Sequence, residues 1–230
     1  MTTRGPVGHV IVVVPARDEE DLLARCLTSV VAAASQLSGP TAHVVVVLDD
    51  CLDRTPDIAR SFPVDVHEVA ARSVGAARAY GVAVGLAAGA APLSRTWIAC
   101  TDADSEVPPH WLTSQLSRAD AGADVVVGTV RPDPQDLTED QLATWSATRV
   151  QGRPNGHVHG ANLGVRADAY VRAGGFPHRP EHEDVELVRL LAQDARHVVV
   201  ASDEADVLTS GRRYGRTPNG YAGYLRAALG

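Results

Sequence analysis

Three acidic clusters stand next to apolar runs in this 230-residue chain: Asp49-Asp50, Asp102-Ala103-Asp104 and Glu181-His182-Glu183-Asp184. One or two carboxylates, completed by phosphate oxygens, hold a hard divalent cation. Such a cation neutralises the charge that develops on a departing diphosphate. Asp104 is the leading candidate ligand, with Asp102 beside it. A lone Asp-x-Asp is ordinarily an N-cap or a solubilising loop. Here the runs before the first two clusters are too apolar for casual surface loops, so the pattern points to a shared edge that binds cation and phosphate. The third cluster follows Gly174-Gly175-Phe176-Pro177 and precedes the helical spacing of Val185, Leu187, Val188, Leu190 and Leu191. Acids at a helix start are favoured by the macrodipole, which by itself explains the cluster. The same rigid placement suits a carboxylate that must take a proton. Near the C-terminus, residues 210–216 put Arg212, Arg213 and Arg216 beside glycines in an otherwise acidic protein. Guanidinium forks match phosphate geometry, so Arg212 or Arg213 is expected to clamp a diphosphate as that loop folds down; a plain basic tail is the alternative.

These groups need a frame that brings them together. Residues 10–14 form a β-branched run, and after Pro15 the stretch Asp18-Glu19-Glu20-Asp21 resembles the first turn of a helix continued by Leu23, Cys26, Leu27 and Val30. A second strand is predicted over 43–48, and Thr55-Pro56-Asp57 predicts an N-cap followed by a first-turn proline. A short third strand follows at 63–66, a helix at 73–90, and a fourth strand at 97–101 that runs into Asp102. Pro108-Pro109 opens the next helix, and 124–130 make a fifth strand. Strands apolar on both faces, alternating with helices, predict a doubly wound parallel sheet. Right-handed crossovers gather the strand ends on one carboxyl edge, where such folds bind ligands. The strands ending at Asp49 and Asp102 are expected to be neighbours there. After Arg131 the rhythm breaks into a helical piece within 137–150, a linker-like stretch at 151–155, and less regular elements.

Composition excludes several chemistries. All 21 basic residues counted as Lys+Arg are arginines, so a Schiff base or a P-loop lysine has no candidate. The net charge of -7 argues against a nucleic-acid or anionic-membrane binder. The turn after the first strand, Pro15-Ala16-Arg17-Asp18-Glu19-Glu20, is the opposite of a glycine-rich dinucleotide loop and excludes a dehydrogenase. An aspartyl-phosphate phosphatase would need its acids after the first strand, together with a lysine. Cys26, Cys51 and Cys100 are scattered and flanked by apolar residues, which predicts reduced core thiols. Residues 74–93 are the most apolar stretch, yet Arg78 and four glycines make a packed helix the expectation rather than a bilayer span. No leader pattern is expected at the N-terminus, and the reading is of a cytoplasmic chain.

Six segments occur in a telling order: Val12-Val13-Val14-Pro15-Ala16-Arg17-Asp18-Glu19-Glu20, Val46-Val47-Leu48-Asp49-Asp50-Cys51-Leu52-Asp53-Arg54-Thr55, Ser73-Val74-Gly75-Ala76-Ala77-Arg78, Thr101-Asp102-Ala103-Asp104, Gly160-Ala161-Asn162-Leu163-Gly164 and Glu183-Asp184. Together they resemble the family 2 glycosyltransferases of the GT-A fold, over residues 10–216. The resemblance implies an α/β, Rossmann-like, mostly parallel sheet flanked by helices, with a smaller C-terminal acceptor region. It implies one domain over 1–230, with a nucleotide-sugar-binding half at 1–130 and a half for acceptor and catalytic base at 131–230. Pro15, Ala16, Glu19 and Asp49 or Asp50 would hold the nucleoside. Asp102 would touch ribose or metal, and Asp104 would bind the Mn²⁺ or Mg²⁺ that bridges the diphosphate. Arg78 falls near the donor phosphates, with a solvated helix charge as its alternative. Asp184 would be the general base, and Gly160, Ala161, Asn162 and Glu183 would face the acceptor. His157 and His159 flank Val158 and share one face if extended; they are expected to be structural or acceptor-lining, since a zinc site would need two further ligands.

The implied reaction moves one sugar from a nucleotide-diphosphate sugar to an acceptor hydroxyl with inversion. A retaining GT-A enzyme and a catalytically silent nucleotide-binding module are the alternatives. The acceptor is a small molecule or a carrier, with neither nucleic acid nor stable membrane insertion expected. A nucleotidyltransferase would want a glycine-rich phosphate loop where Pro15-Ala16-Arg17-Asp18 stands. The Gln-x-x-Arg-Trp signature of processive family members is absent, which favours single transfer.

Overall fold

The computed structural model describes residues 5–177, 179, 181–215 and 220–229. Strand β1 (His9–Ala16) is buried along its whole length. Successive side chains on a strand point to opposite faces, so a run without polar interruption must be covered on both. Val10, Val12 and Val14 meet Leu23, Cys26 and Leu27 of α1 (Leu23–Ser35) in one core, which also takes Trp111 and Leu112 of α4 (Trp111–Asp120). Ile11 and Val13 meet Ala77 and Val82 of α3 (Val74–Ala87) in a second core, closed by Leu187 and Leu191 of α7 (Glu183–Gln193). Helix α3 sits close on the sheet because Gly85 faces Ile11; a Cβ there would lie 2.3 Å from Ile11 Cγ2.

One eight-stranded sheet has the order β3-β2-β1-β4-β7-β6-β8-β5. Strands β1, β2 (Thr41–Asp49), β3 (Asp65–Val69) and β4 (Thr96–Cys100) pair in parallel. β6 (Val125–Pro132) and β8 (Val199–Thr209) are also parallel to each other. β7 (Leu163–Arg166) is inserted antiparallel to both β4 and β6, and β5 (Ser105–Glu106) runs antiparallel to β8. The sheet is thus mixed and mostly parallel. Helices α2 (Thr55–Arg60), α5 (Glu139–Ala147), α6 (Ala167–Arg172) and α8 (Tyr221–Leu229) complete the order. Among the described residues no helix is long and apolar enough to cross a membrane.

Four local expectations are corrected. The Asp49 and Asp102 strands are not neighbours, because β1 lies between β2 and β4. The acids at 18–21 do not form the first turn of α1, which begins at Leu23. Asp18 is left-handed, with φ 46°, and its carboxylate accepts the Leu52 N–H while Glu20 accepts from Arg54, so contacts to the next loop replace helical ones. Thr55 is not the cap of α2 but its first residue; its hydroxyl accepts the Glu19 N–H at 2.7 Å. The third strand runs two to three residues later than its predicted span. The helix expected within 137–150 forms as α5, capped by a reciprocal Thr138–Gln141 box.

Candidate active site

The segment after β4, the start of α7 and the segment after β8 converge on a cavity of about 460 Å³. Its lining includes Arg78, Asp102 and Asp104 together with Gly160, Ala161, Glu183 and Asp184. Arg212 closes one end. Pro15, Ala16, Glu19, Asp49, Asp50, Asn162 and Arg213 do not line this cavity, although Glu19 reaches it through Arg212. Arg216 lies outside the described residues.

The two strand-end acid pairs have different partners. Asp49 is buried, and its carboxylate accepts the N–H groups of Ala71 and Arg72 through one oxygen and that of Ser73 through the other, at 2.7–2.8 Å. It thereby shapes the turn into α3. Asp50 takes the left-handed conformation and pairs with the exposed Arg72. Asp102 accepts from Arg78 inside the cavity. Asp104 accepts from Ser105 at 3.2 Å and Thr209 at 3.4 Å, and its other oxygen lies 2.8 Å from Arg212 Nη2. The pairing of β5 with β8, together with the Ser210 N–H to the Asp104 carbonyl, brings Arg212 to that spot.

Burial pushes the Asp104 carboxyl up to about 6, with Arg212 pulling the other way and Asp102 and Glu19 adding to the rise. Arg212 also forks onto Glu19, at 2.8 and 3.1 Å. A guanidinium held by Asp104 and Glu19 shows that this pocket of oxygens accommodates positive charge. The oxygen donors of Asp102 and Asp104 suit Mg²⁺ or Mn²⁺. Among the described residues no three His, Cys, Asp or Glu side chains form a complete protein cage, so ligand oxygens would have to finish the coordination.

Asp184, which lines the same cavity, sits in the first turn of α7. Its carboxylate accepts the Gly160 N–H at 2.6 Å and the Val185 N–H at 2.8 Å. The preceding His182 is left-handed, with φ 59°, and lines the cavity with it. Glu183 is almost fully buried and accepts from Arg78. Asn162 is turned into the core, bonded to Trp111 Nε1 and to the carbonyls of Thr129 and Ala205.

His157 and His159 both line the cavity, where they meet aromatic rings from α8. His157 lies 5.8 Å from Tyr224 and His159 5.5 Å from Tyr221, centroid to centroid. Burial lowers the His159 imidazole to about 4, so it is neutral at ordinary pH. Trp145 of α5 completes this wall. Trp145, Tyr221 and Tyr224 had escaped sequence reasoning. The i, i+3 spacing of the two tyrosines was legible as one helix face, but nothing local says which cavity that face meets.

Residues 11–171 match the family described as glycosyl transferase family 2. The chain is 30% identical over 174 residues to the undecaprenyl-phosphate 4-deoxy-4-formamido-L-arabinose transferase of Klebsiella pneumoniae, covering 75% of this chain and 51% of that protein. It therefore spans about half the length of the curated relative. In structure it resembles Staphylococcus aureus TarS 1-349 in complex with UDP-GlcNAc, with a TM-score of 0.66 at 15% identity, covering 93% of this chain and 61% of that one. It also resembles the mannosyltransferase PcManGT of Pyrobaculum calidifontis in complex with GDP-Man and Mn²⁺, with a TM-score of 0.63 at 20% identity, covering 90% of this chain and 58% of that one. These likenesses carry the fold, an α/β GT-A architecture. With the ordered acids on one sheet edge and the family match running across most of the chain, this protein belongs to glycosyl transferase family 2.

Proposed function

We propose that this chain transfers one sugar from a nucleotide-diphosphate sugar to an acceptor hydroxyl, with inversion at the anomeric carbon. The observation that carries the reading is that Asp102, Asp104 and Asp184 line the same cavity. Residues 1–130 supply the nucleotide edge, and residues 131–230 supply the base and the acceptor wall. Asp184, fixed by two backbone N–H groups, takes the proton of the acceptor hydroxyl while the oxygen bonds to the anomeric carbon. The bond to the diphosphate breaks in the same displacement and its electron pair leaves with the nucleotide. Mn²⁺ or Mg²⁺ bound by Asp104, with Asp102 beside it, would supply Lewis-acid stabilisation of that leaving group. Arg212 supplies a guanidinium at the same end of the cavity, and on this reading it leaves Glu19 and Asp104 for the diphosphate when donor binds. We place the reaction in the cytoplasm, a reading supported by three free cysteines.

The acceptor is a small molecule or a carrier. The Klebsiella pneumoniae relative is named for undecaprenyl phosphate, and chemistry separates the two classes. A phosphate monoester, with a second pKa of about 6, is already ionised at neutral pH and needs no base; a hydroxyl does. Calorimetry with UDP- and GDP-sugars with and without Mn²⁺, followed by the product anomer, tests the reading. An α-linked product from an α-linked donor excludes direct displacement, and a protein that binds no nucleotide sugar at saturating Mn²⁺ is not this enzyme. Transfer to undecaprenyl phosphate that survives Asp184→Asn would shift the acceptor to the phosphate class.

A further inference from the structure

Resting on the proposed reaction, we infer that Arg78 is a positioning residue that ties the base-bearing helix to the acid at the end of β4, and is not a ligand of the donor phosphates. Arg78 stands on α3 and is only 4% exposed. One terminal nitrogen is bonded to Asp102 and the other to Glu183 at the start of α7. Burial works against its charge, but the coulombic pull of Asp102, Glu183 and Asp184 outweighs it and holds the guanidinium above its ordinary pKa. With both ends of the fork engaged, a terminal nitrogen turns to an incoming diphosphate only by letting go of Asp102, whose side chain is 33% exposed, or of Glu183, a carboxylate that is almost fully buried. Leaving such a carboxylate unpaired is strongly unfavourable.

The packing around the guanidinium is as specific as its charge. A Cβ at Gly160 would come within 2.4 Å of the guanidinium, so the backbone of residues 159–161 lies directly against it. A Cβ at Gly75 would come 2.8 Å from Glu183 Cγ, so α3 also receives the second partner closely. The Gly160 N–H that Arg78 buttresses is the one donated to Asp184. Arg78 therefore reaches the base along two routes: through Glu183, which precedes Asp184 in the chain, and through Gly160, which donates to it. On its other side it fixes one oxygen of Asp102 next to Asp104. This gives the cavity a set spacing between the acids of the two walls, which a displacement needs because reacting groups misplaced by an ångström lose about 100-fold in rate.

The test compares Arg78→Met, Arg78→Lys and Glu183→Gln. Hydrogen exchange on the ligand-free protein is read at Gly160 and the first turn of α7. The expected result is exchange at least about tenfold faster there in Arg78→Met and Glu183→Gln, with β1 protection unchanged, and only partial recovery in Arg78→Lys, whose single ammonium does not span both carboxylates. The second readout is UDP and GDP affinity against kcat for sugar transfer. A positioning role predicts a kcat loss of about 100-fold with nucleoside-diphosphate affinity kept within about threefold. Affinity lowered tenfold or more, with Gly160 protection intact, overturns the inference and makes Arg78 a phosphate ligand. If Arg78→Met does not fold, Glu183→Gln, which keeps the side chain's shape, decides on the same readouts. If the wild type neither binds nucleotide nor turns over, the proposed reaction fails, while the exchange data still decide the tie between Arg78 and Asp184.

Discussion

Asp49-Asp50 and Asp102-x-Asp104 are the same kind of residue at the same kind of place, the carboxyl end of a buried parallel strand, and the fold uses them differently. Asp49 organises backbone: three N–H groups of the turn into α3 converge on it, and Asp50 faces outward to Arg72. Asp102 and Asp104 face a cavity, where their charged partners are the side chains of Arg78 and Arg212. A carboxylate saturated by its own backbone is part of the scaffold. One held by a side chain that can move, as Asp104 is by Arg212, is available to a ligand. The difference follows from neighbouring loops. The turn at 70–73 wraps over the end of β2, whereas the chain after β4 is pinned to β8 through β5 and leaves its acids open.

This contrast can be broken at several points. Asp104→Ala should have the largest effect, removing Mn²⁺-dependent nucleotide binding in calorimetry and lowering transfer by about 10³-fold or more, equivalent to several kcal/mol of charge stabilisation. Asp184→Asn should lower kcat by about 10²–10⁴-fold while leaving donor affinity in place, since it removes a base and not a donor contact. Asp49→Ala should act on stability instead, costing about 1–3 kcal/mol in denaturant unfolding because buried amides lose their acceptor. A fall in nucleotide affinity at unchanged stability would transfer Asp49 to the donor side of the comparison.

A subtler difference lies in pH. Asp104 keeps its proton up to about pH 6 when folded, against an ordinary value of 3.8. Between those values the folded protein binds more protons than the unfolded chain, so its stability falls as pH rises, by at most about 1.4 kcal/mol per pH unit, and levels off above about 6. Buried His159, lowered to about 4, contributes the opposite sign over much of that window, so the Asp104 share is read as the difference in urea-unfolding slope between metal-free wild type and Asp104→Asn, with the variant's stability rising more steeply with pH. The smallest effect is expected at Asp50→Asn, which keeps a residue that tolerates the left-handed backbone and loses only the charge facing an exposed partner, about 0.5 kcal/mol.

Much of the frame was legible because the parallel strands are apolar on both faces. Ile11 and Val13 read no differently from Val12 and Val14, and only a strand covered by helices on both sides tolerates that. The helix start at Glu183 and Asp184 was legible from its acids and the spacing behind them. Less visible was β7, a four-residue strand inserted antiparallel between β4 and β6, because its place depends on partners far away in sequence. The same holds for Asn162. In sequence it belongs to a motif expected to face the acceptor, but in the fold its side chain satisfies Trp111 and two buried carbonyls.

The sequence by itself determined which residues could do chemistry and that a mostly parallel α/β sheet would carry them, since residue type and hydrophobic period are local properties. Tertiary structure alone decided which acids face the cavity, that Arg78 lies buried between Asp102 and Glu183, and that Arg212 closes onto Asp104 and Glu19. Those partners are 24, 105, 108 and 193 residues apart in the chain. No local pattern encodes such separations, because a charge buried at folding pairs with whichever opposite charge the packed sheet brings within reach.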